Sequence, residues 1–381
     1  MQYDVVIAGA GPVGLCLALR LVKEGKSVFI MEKNATTHEH SRAPAIWPKT
    51  QEILSDLGVV DQFLEEGIIA PHLRMTDVDT NKVLFEIQLE EIKDLTKYPH
   101  LLVIPQSKTE RILCDALKKQ KNAEVHFSCE LVSFLQNESS VSVQYKEAGE
   151  DKEITASYLV GCDGAHSVVR EILGVHLKGE TYKTQAALAD VRIQSDKPFP
   201  LISTKDVMVV AIKIDTDLWR LILIYFSKSA MTLEERAGRA MQQLFPGEKY
   251  EDIWQSEFRL HNRISTQFVK ERVAIAGDAA HLNSPVGGQG MNSGIQDTEV
   301  LGEALLKALN ENEPKHLQVY ADLRKGAVAS GVNRFTNMLT EVIFIANGRL
   351  LKLIFRGWSI LMKVPFIRRR FLRKVTMLSK N

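Results

Sequence analysis

The sequence predicts an α/β protein: a parallel-sheet domain, interrupted by a β-rich domain and followed by a helical C-terminal segment. Three observations carry this. Apolar strands run straight into glycine or Asp-Gly turns and then into helices near residues 10, 163 and 280. Residues 71–100 and 176–264 instead read as strands, with Lys82–Ile87, Ala186–Ile193, Val207–Ile214 and Trp219–Phe226 as the clearest runs. Residues 342–381 mix basic and apolar side chains with helical spacing.

The first turn is the most legible. Tyr3–Ala8 is a short apolar run suited to a buried parallel strand, and Gly9-Ala10-Gly11-Pro12-Val13-Gly14 follows at once. A helical pattern (Leu15, Leu17, Ala18, Leu21, Val22) ends at Gly25, a second apolar run covers Ser27–Met31, and Glu32 lies 18 residues beyond Gly14. Strand, Gly-x-Gly-x-x-Gly, helix, strand and acid together form the dinucleotide-binding fingerprint of a Rossmann-like domain. Gly9 makes the turn, Gly11 admits a pyrophosphate, Gly14 lets helix and strand pack closely, and Glu32 accepts hydrogen bonds from a ribose. The competing reading is a ligand-free strand–helix turn.

Two further turns favour a longer ligand. Leu159–Cys162 enters Asp163-Gly164, and a helix opened by Ser167 ends near Leu173-Gly174. Arg272–Ala276 enters Gly277-Asp278, then Pro285-Val286-Gly287-Gly288-Gln289-Gly290-Met291, with a helix expected from about Asn292. Glycines let the backbone approach a flat or anionic ligand, and the helix N-terminus offers unpaired N–H groups with partial positive charge. An NAD dehydrogenase needs only the first turn. Three such turns suit a flavin dinucleotide gripped along its length.

On these motifs the chain resembles the class A FAD-dependent aromatic hydroxylases, which share the para-hydroxybenzoate hydroxylase fold, and within them the phenol and polyketide hydroxylases. The resemblance rests on Gly9–Gly14, Ser41-Arg42-Ala43, Lys49–Leu54, Pro105-Gln106, Gly161–Ser167 and the stretch Gly277–Asn292 continued by Gly294-Ile295-Gln296-Asp297, and covers roughly residues 1–335. It implies a discontinuous FAD-binding domain (1–70, 101–175, 265–341), a β-rich substrate domain (71–100, 176–264) and basic amphipathic C-terminal helices (342–381).

The implied activity is a monooxygenase using NADPH or NADH as transient reductant and O2. A flavin C4a-hydroperoxide would pass oxygen to a phenolic, polyketide-like or other aromatic small molecule. The resemblance assigns Asp278 and Gln106 to the ribityl chain and Arg42 to the pyrophosphate. Backbone N–H groups of Gly290-Met291-Asn292 would meet the flavin ring, and Pro285-Val286-Gly287 would lie beside the reacting carbon. Asp163 and His166 would lie near the reductant's route, and Lys33, after Glu32, biases weakly towards NADPH. Plainer alternatives are a surface charge for Arg42, a ligand-free helix start for Gln106 and a simple helix-start residue for His166. The resemblance names no general base. Trp47, Trp219, Tyr225 and His261 are candidates to line a substrate pocket, with core packing as the alternative for each. The branch commonly adds a thioredoxin-like domain beyond the point where this sequence stops.

Other readings are a membrane-associated quinone-precursor hydroxylase, a flavin-dependent isoprenoid reductase, and a non-enzymatic binder like the Rab-escort proteins. Intact glycine and Asp-Gly elements argue against the last. A flavin halogenase is disfavoured because no Trp-x-Trp-x-Ile-Pro run occurs.

Composition sets the setting. The 381 residues are 45% hydrophobic and 25% charged, enough for a large core and two domains. Cys16, Cys114, Cys129 and Cys162 lack Cys-x-x-Cys spacing and read as free thiols. With the first strand at the very start there is no signal-peptide pattern, and no uncharged run suits a membrane span. A cytoplasmic enzyme without a metal site is expected. Residues 342–381 hold ten Lys or Arg and no acid, so the remainder carries 1 − 10 = −9. That segment is either a packed cap or a peripheral contact with an anionic membrane. Nucleic acid is an unsuitable partner for a short basic tract on an acidic body.

Overall fold

The apolar runs and glycine turns build two large sheets and a helical layer. The computed structural model describes residues 2–37, 43–197, 199–203, 208–226, 231–345 and 348–378. In chain order, the first part comprises β1 (Gln2–Ala8), α1 (Pro12–Lys23), β2 (Val28–Glu32), β3 (Ala45–Ile46), α2 (Pro48–Asp56), α3 (Val60–Glu66), β4 (Ile68–Ala70), β5 (His72–Asp77) and β6 (Lys82–Gln88). There follow β7 (Leu101–Val103), α4 (Gln106–Leu117), β8 (Ala123–Phe127), β9 (Cys129–Gln136), β10 (Val141–Glu147), β11 (Glu150–Gly161) and α5 (Val168–Ile172). The middle holds β12 (Leu177–Arg192), β13 (Leu201–Ser203), β14 (Met208–Lys213), β15 (Leu218–Phe226), α6 (Leu233–Leu244) and β16 (Glu251–Ser265). The chain closes with β17 (Val269–Lys270), β18 (Val273–Ile275), β19 (His281–Leu282), α7 (Gly290–Glu311), α8 (Leu317–Ala327), α9 (Arg334–Ile345), α10 (Gly348–Leu361) and α11 (Pro365–Val375).

The first sheet runs β17-β18-β11-β1-β2-β8, with β10 paired to β11 and β9 to β10. Its centre is parallel: β18, β11, β1, β2 and β8 all point the same way. Val5, Val6 and Ile7 of β1 are wholly buried, as a central strand covered on both faces must be. The second sheet, β19-β16-β12-β15-β14-β13-β5-β6, draws strands from residues 72–88, 177–265 and 281–282. Alternation along β15 sorts its faces: Trp219, Leu221 and Leu223 join Ala237, Ala240 and Met241 of α6 in one core, and Arg220 and Ile222 point the other way.

That second face is covered in part by the C-terminal helices. Leu351 of α10 packs with Leu84 and Ile202, beside Met208 and Val210. Leu372 and Val375 of α11 join Trp47, Phe85, Ile87 and Phe335. Gln289 Nε2 donates to the Val375 carbonyl (2.8 Å), tying the end of α11 to the glycine loop. Among the described residues no helix is long and apolar enough to cross a membrane.

Beyond β2 the strand β8 pairs in parallel, and β9 and β10 form a hairpin turned at Asn137, whose Oδ1 accepts from the Ser139 and Ser140 N–H groups. Two local expectations are corrected. The helix after the glycine loop starts at Gly290 rather than about Asn292: the positive-φ glycines end at Gly288, and Gln289 is already in the right-handed helical region. Strand β12 starts at Leu177 rather than Ala186; a register shift between Thr181 and Gln185 breaks the alternation that would mark it in sequence.

Candidate active site

The three glycine turns leave one edge of the parallel sheet side by side. In the ladder Ala8 lies opposite both Gly161 and Met31, and Gly161 lies opposite Ile275. Hydrogen bonds continue past the strand ends: Gly9 N–H to Met31 O (2.8 Å), Cys162 N–H to Ala8 O (2.7 Å) and Ala276 N–H to Gly161 O (2.9 Å). Ligands of open parallel sheets bind at the carboxyl ends of the strands, and this is such an edge.

The first and third turns are locked by contacts that only glycine permits. Gly9 has φ +106°, and a Cβ there would lie 2.4 Å from the Cys162 carbonyl oxygen. At Gly14 a Cβ would lie 2.0 Å from the Gly9 carbonyl oxygen. Val13 wedges between the first and third turns, since a Cβ on Gly277 or Gly294 would come within 2.9 or 2.7 Å of its Cγ2. Gly11 differs: a Cβ there would meet nothing within 4 Å, and α1 begins directly behind it with Pro12 in its first turn and no side-chain cap. Open space at a helix N-terminus is what an approaching pyrophosphate requires. The residues present therefore fit a dinucleotide.

The side chains assigned from sequence divide into two groups. Glu32 is buried at the end of β2; its Oε2 accepts from the Ala10 N–H (3.0 Å) and its Oε1 from the Asn34 backbone and side-chain amides. It stands beside the first turn. Lys33 is exposed next to it. Asp278 is exposed in the short 3-10 turn after β18. Gln106 opens α4, donates to Glu110 Oε1 (2.8 Å) and accepts from the Ala43 N–H (3.3 Å). Arg42, with Ser41, lies outside the described residues.

Asp163 turns partly inward: Oδ2 accepts from the Val169 N–H (3.0 Å) at the start of α5, and burial raises its carboxyl above the ordinary value despite that bond. Asn292 is wholly buried, and its side chain holds protein: Nδ2 donates to Ala45 O and Gly288 O (2.8 Å each) and Oδ1 accepts from the Trp47 N–H (2.9 Å). This leaves its backbone N–H, with those of Gly290 and Met291, in the uncapped first turn of α7.

The loop before α7 is braced from outside. Gly287 and Gly288 both have positive φ, +90° and +63°. Trp47 Nε1 donates to Gly287 O (3.0 Å), and Ser284 Oγ pairs with Thr340 Oγ1 of α9 (2.6 Å). Pro285 at its tip is exposed, with Val286 and Gly287 partly so. Trp47 is thus a buried brace of this loop.

The other pocket candidates are placed as follows. Trp219 is wholly buried between Phe199 and Phe245 on the α6 side. Tyr225 lies under the Arg236 guanidinium (3.7 Å), and its hydroxyl donates to Glu257. His261 Nδ1 pairs with Thr181 Oγ1 (2.9 Å), and burial with nearby arginines lowers its pKa. None of the three makes a hydrogen bond or ring contact with the glycine loop. An open cleft of about 320 Å³ near Arg74, Lys197 and Lys213 contains no residue of the turns.

Sequence reading missed the network that carries the loop from beneath. Asp297 of α7 is wholly buried and accepts from the Gly277 N–H (2.9 Å) and Arg324 Nε (2.7 Å), and pairs with His281 Nε2 (2.7 Å). Burial alone would raise its carboxyl, but the charges of His281 and Arg324 and those hydrogen bonds outweigh it and hold the value at about 2. Arg170 links the second and third turns, donating to Ala165 O (2.8 Å) and Ala279 O (3.1 Å). Apart from the Arg170–Ala165 bond, five positions apart, these residues lie 16 to 109 positions from their partners, so no local spacing marks the network.

Comparison with known proteins agrees with this geometry. The family described as FAD binding domain matches residues 2–336. A flavin-dependent monooxygenase of Mycobacteroides abscessus is 33% identical over 358 residues, covering 88% of this chain and 74% of its own. The chain belongs to the FAD-dependent aromatic monooxygenases. The 12-dehydrotetracycline 5-monooxygenase/anhydrotetracycline 6-monooxygenase of Streptomyces rimosus is 29% identical over 361 residues, 90% of this chain and 70% of its own. The p-nitrophenol 4-monooxygenase of Pseudomonas putida, at 23% identity, shares the fold with a TM-score of 0.90 over 99% of this chain and 98% of its own. FAD is the cofactor, and the relatives fit an aromatic or polyketide monooxygenase rather than an isoprenoid reductase or a membrane-associated quinone-precursor hydroxylase.

Proposed function

We propose that this enzyme hydroxylates a phenolic or polyketide-like ring, with NADPH or NADH as a transient reductant. The observation that carries the site assignment is the alignment of three glycine turns on one sheet edge, with Gly11 open and Gly9, Gly14 and Gly277 closed by protein. FAD, when bound and reduced, supplies the activation of dioxygen. The chain's part is to hold and orient. Gly11 and the start of α1 receive the pyrophosphate, and Glu32 the adenosine ribose. Asp278 and Gln106 bind the ribityl chain, and Arg42 adds positive charge. The uncapped first turn of α7 directs N–H groups at the ring, where negative charge on the reduced flavin is stabilised. Relatives that act on a tetracycline-class compound and on para-nitrophenol support an aromatic substrate of one or several rings.

In this proposal the substrate lies between the Pro285–Gly288 loop, α9 and the sheet face opposite α6. Ile222 and Met208 on that face are partly exposed, and the buried bidentate pair Arg220–Asp190 (2.8 and 2.7 Å) fixes the strands beneath. Trp47 and Asn292 fix the position of the loop rather than touch substrate.

Replacing Asp278 with alanine should weaken FAD binding tenfold or more, since each charge-assisted hydrogen bond lost costs roughly 1.5–3 kcal/mol. Flavin fluorescence titration of the folded variant measures this; unchanged affinity means Asp278 is not a ribityl ligand. For the substrate, NADPH and NADH oxidation should be followed alongside peroxide release across a panel of phenols and polycyclic aromatics. A true substrate accelerates reductant use while lowering peroxide per reductant consumed. If the FAD-loaded enzyme shows acceleration with no aromatic compound, the substrate class is wrong.

A further inference from the structure

Helix α10 is apolar over a broad arc, and the protein covers only one side of it. Its inner face carries Leu351, Ile354, Phe355 and Trp358, packed in the clusters described above. At about 100° per residue, Leu350, Leu353, Gly357, Ile360 and Leu361 fall together on the outer face. Leu353 is 60% and Ile360 67% exposed, and the apolar run continues past the helix end through Val364 to Phe366, which is 74% exposed. Single exposed apolar side chains are ordinary, but a row of them along one helix marks an interaction surface.

The charges on this segment indicate the partner. Of its ten cations, Lys352, Arg368 and Arg369 are paired with Asp77 and Asp79, Glu91 and Asp94 on the body. These pairs fix the inner side. Among the described residues Arg356, Lys363, Arg370 and Arg373 are exposed, with no acidic group within ion-pair distance. Arg356 borders the apolar row of α10, Lys363 sits in the turn, and Arg370 and Arg373 follow Phe366 on the outer side of α11, at spacings of four and seven residues.

We propose that the outer face of α10, the following turn and α11 rests on an anionic lipid bilayer, with the Leu353–Phe366 row at the level of the acyl boundary and the four cations among the headgroups. Amphipathic helices with this division lie in the interface plane. A second copy of the chain fits the surface less well. A symmetric dimer sets the same patch against itself and would bring four unpaired cations of each copy together with no acid to neutralise them. Anionic headgroups supply the missing charge. The result would hold an enzyme of the proposed type beside apolar aromatic substrates that partition into lipid; the surface itself does not depend on that reading.

The test uses the full FAD-loaded chain with sedimented vesicles of phosphatidylcholine alone or mixed with phosphatidylglycerol. Binding is expected only to the anionic vesicles and should weaken as salt rises, because each cation near such a surface is worth roughly fivefold in partitioning. Arg356→Glu with Arg370→Glu and Arg373→Glu should reduce binding by about 100-fold or more on the same scale. Ile360→Glu with Phe366→Glu should abolish it, while melting temperature and flavin absorbance stay unchanged. Equal binding to neutral vesicles, or none to anionic ones, overturns the proposal. So does a dimer in sedimentation velocity that Ile360→Glu with Phe366→Glu dissolves while vesicles bind nothing. The salt and lipid dependence of the unmutated chain decides the matter even if a variant misfolds.

Discussion

A Gly11→Val variant is expected to fold and to purify without flavin. In the protein a Cβ at residue 11 meets nothing within 4 Å, and φ −75° with ψ 177° is extended backbone open to any residue. Losing glycine at the N-cap of α1 costs about 1 kcal/mol or less. The space is vacant to the fold but not to a pyrophosphate, so the new methyl groups would displace the anion from the helix N-terminus. Losing two such charge-assisted contacts at roughly 1.5–3 kcal/mol each gives a fall in FAD affinity of about 100-fold or more. Gly14→Ala is the contrasting control, because its Cβ would collide with the Gly9 carbonyl at 2.0 Å and disturb strand–helix packing itself. Circular dichroism and flavin content separate the two outcomes. A Gly11→Val protein that keeps full flavin would show that the cofactor does not cross this turn.

The second large effect is expected at Asp297. Removing its carboxylate leaves Arg324 buried without its charge partner, and takes away the acceptors of the Gly277 N–H and of His281. Breaking a buried pair in this way costs about 3–5 kcal/mol, so Asp297→Ala should lose much of the stability of the turn and of α7. Urea unfolding measures it, and a loss under 1 kcal/mol would mean the network is incidental. The pH dependence has a definite sign. With the folded carboxyl at about 2 and an unfolded value of about 3.9, its stabilisation is present above the unfolded value and fades as pH falls towards the folded one. The gap between parent and variant should therefore be constant near neutrality and narrow below about pH 4.

The turns were legible because each is local: strand, glycine and helix start follow one another within about a dozen residues, and the physics of close backbone approach restricts the residue types. The two-sheet arrangement was legible from alternation. Which face of a strand meets the cofactor side was not. Trp219 and Arg220 are neighbours on opposite faces, and only the packing of α6 on one side and the C-terminal helices on the other tells them apart. The Asn292 amide and the Asp297 network were hidden for a different reason. Their partners come from Ala45, Trp47, His281 and Arg324, brought together by the sheet rather than by spacing. Trp47 read as a pocket candidate because an indole suits either role, and its bond to the Gly287 carbonyl is visible only in three dimensions.

The central claim is that this chain uses FAD to place one atom of dioxygen on an aromatic ring. The most direct measurement is a turnover under isotopically heavy dioxygen, with NADPH or NADH and an aromatic compound that accelerates reductant oxidation, read by mass spectrometry of the product. The account predicts a product heavier by a single labelled oxygen, with the label absent when heavy water replaces heavy dioxygen. A product that has gained hydrogen without oxygen, or oxygen drawn from water, would contradict it.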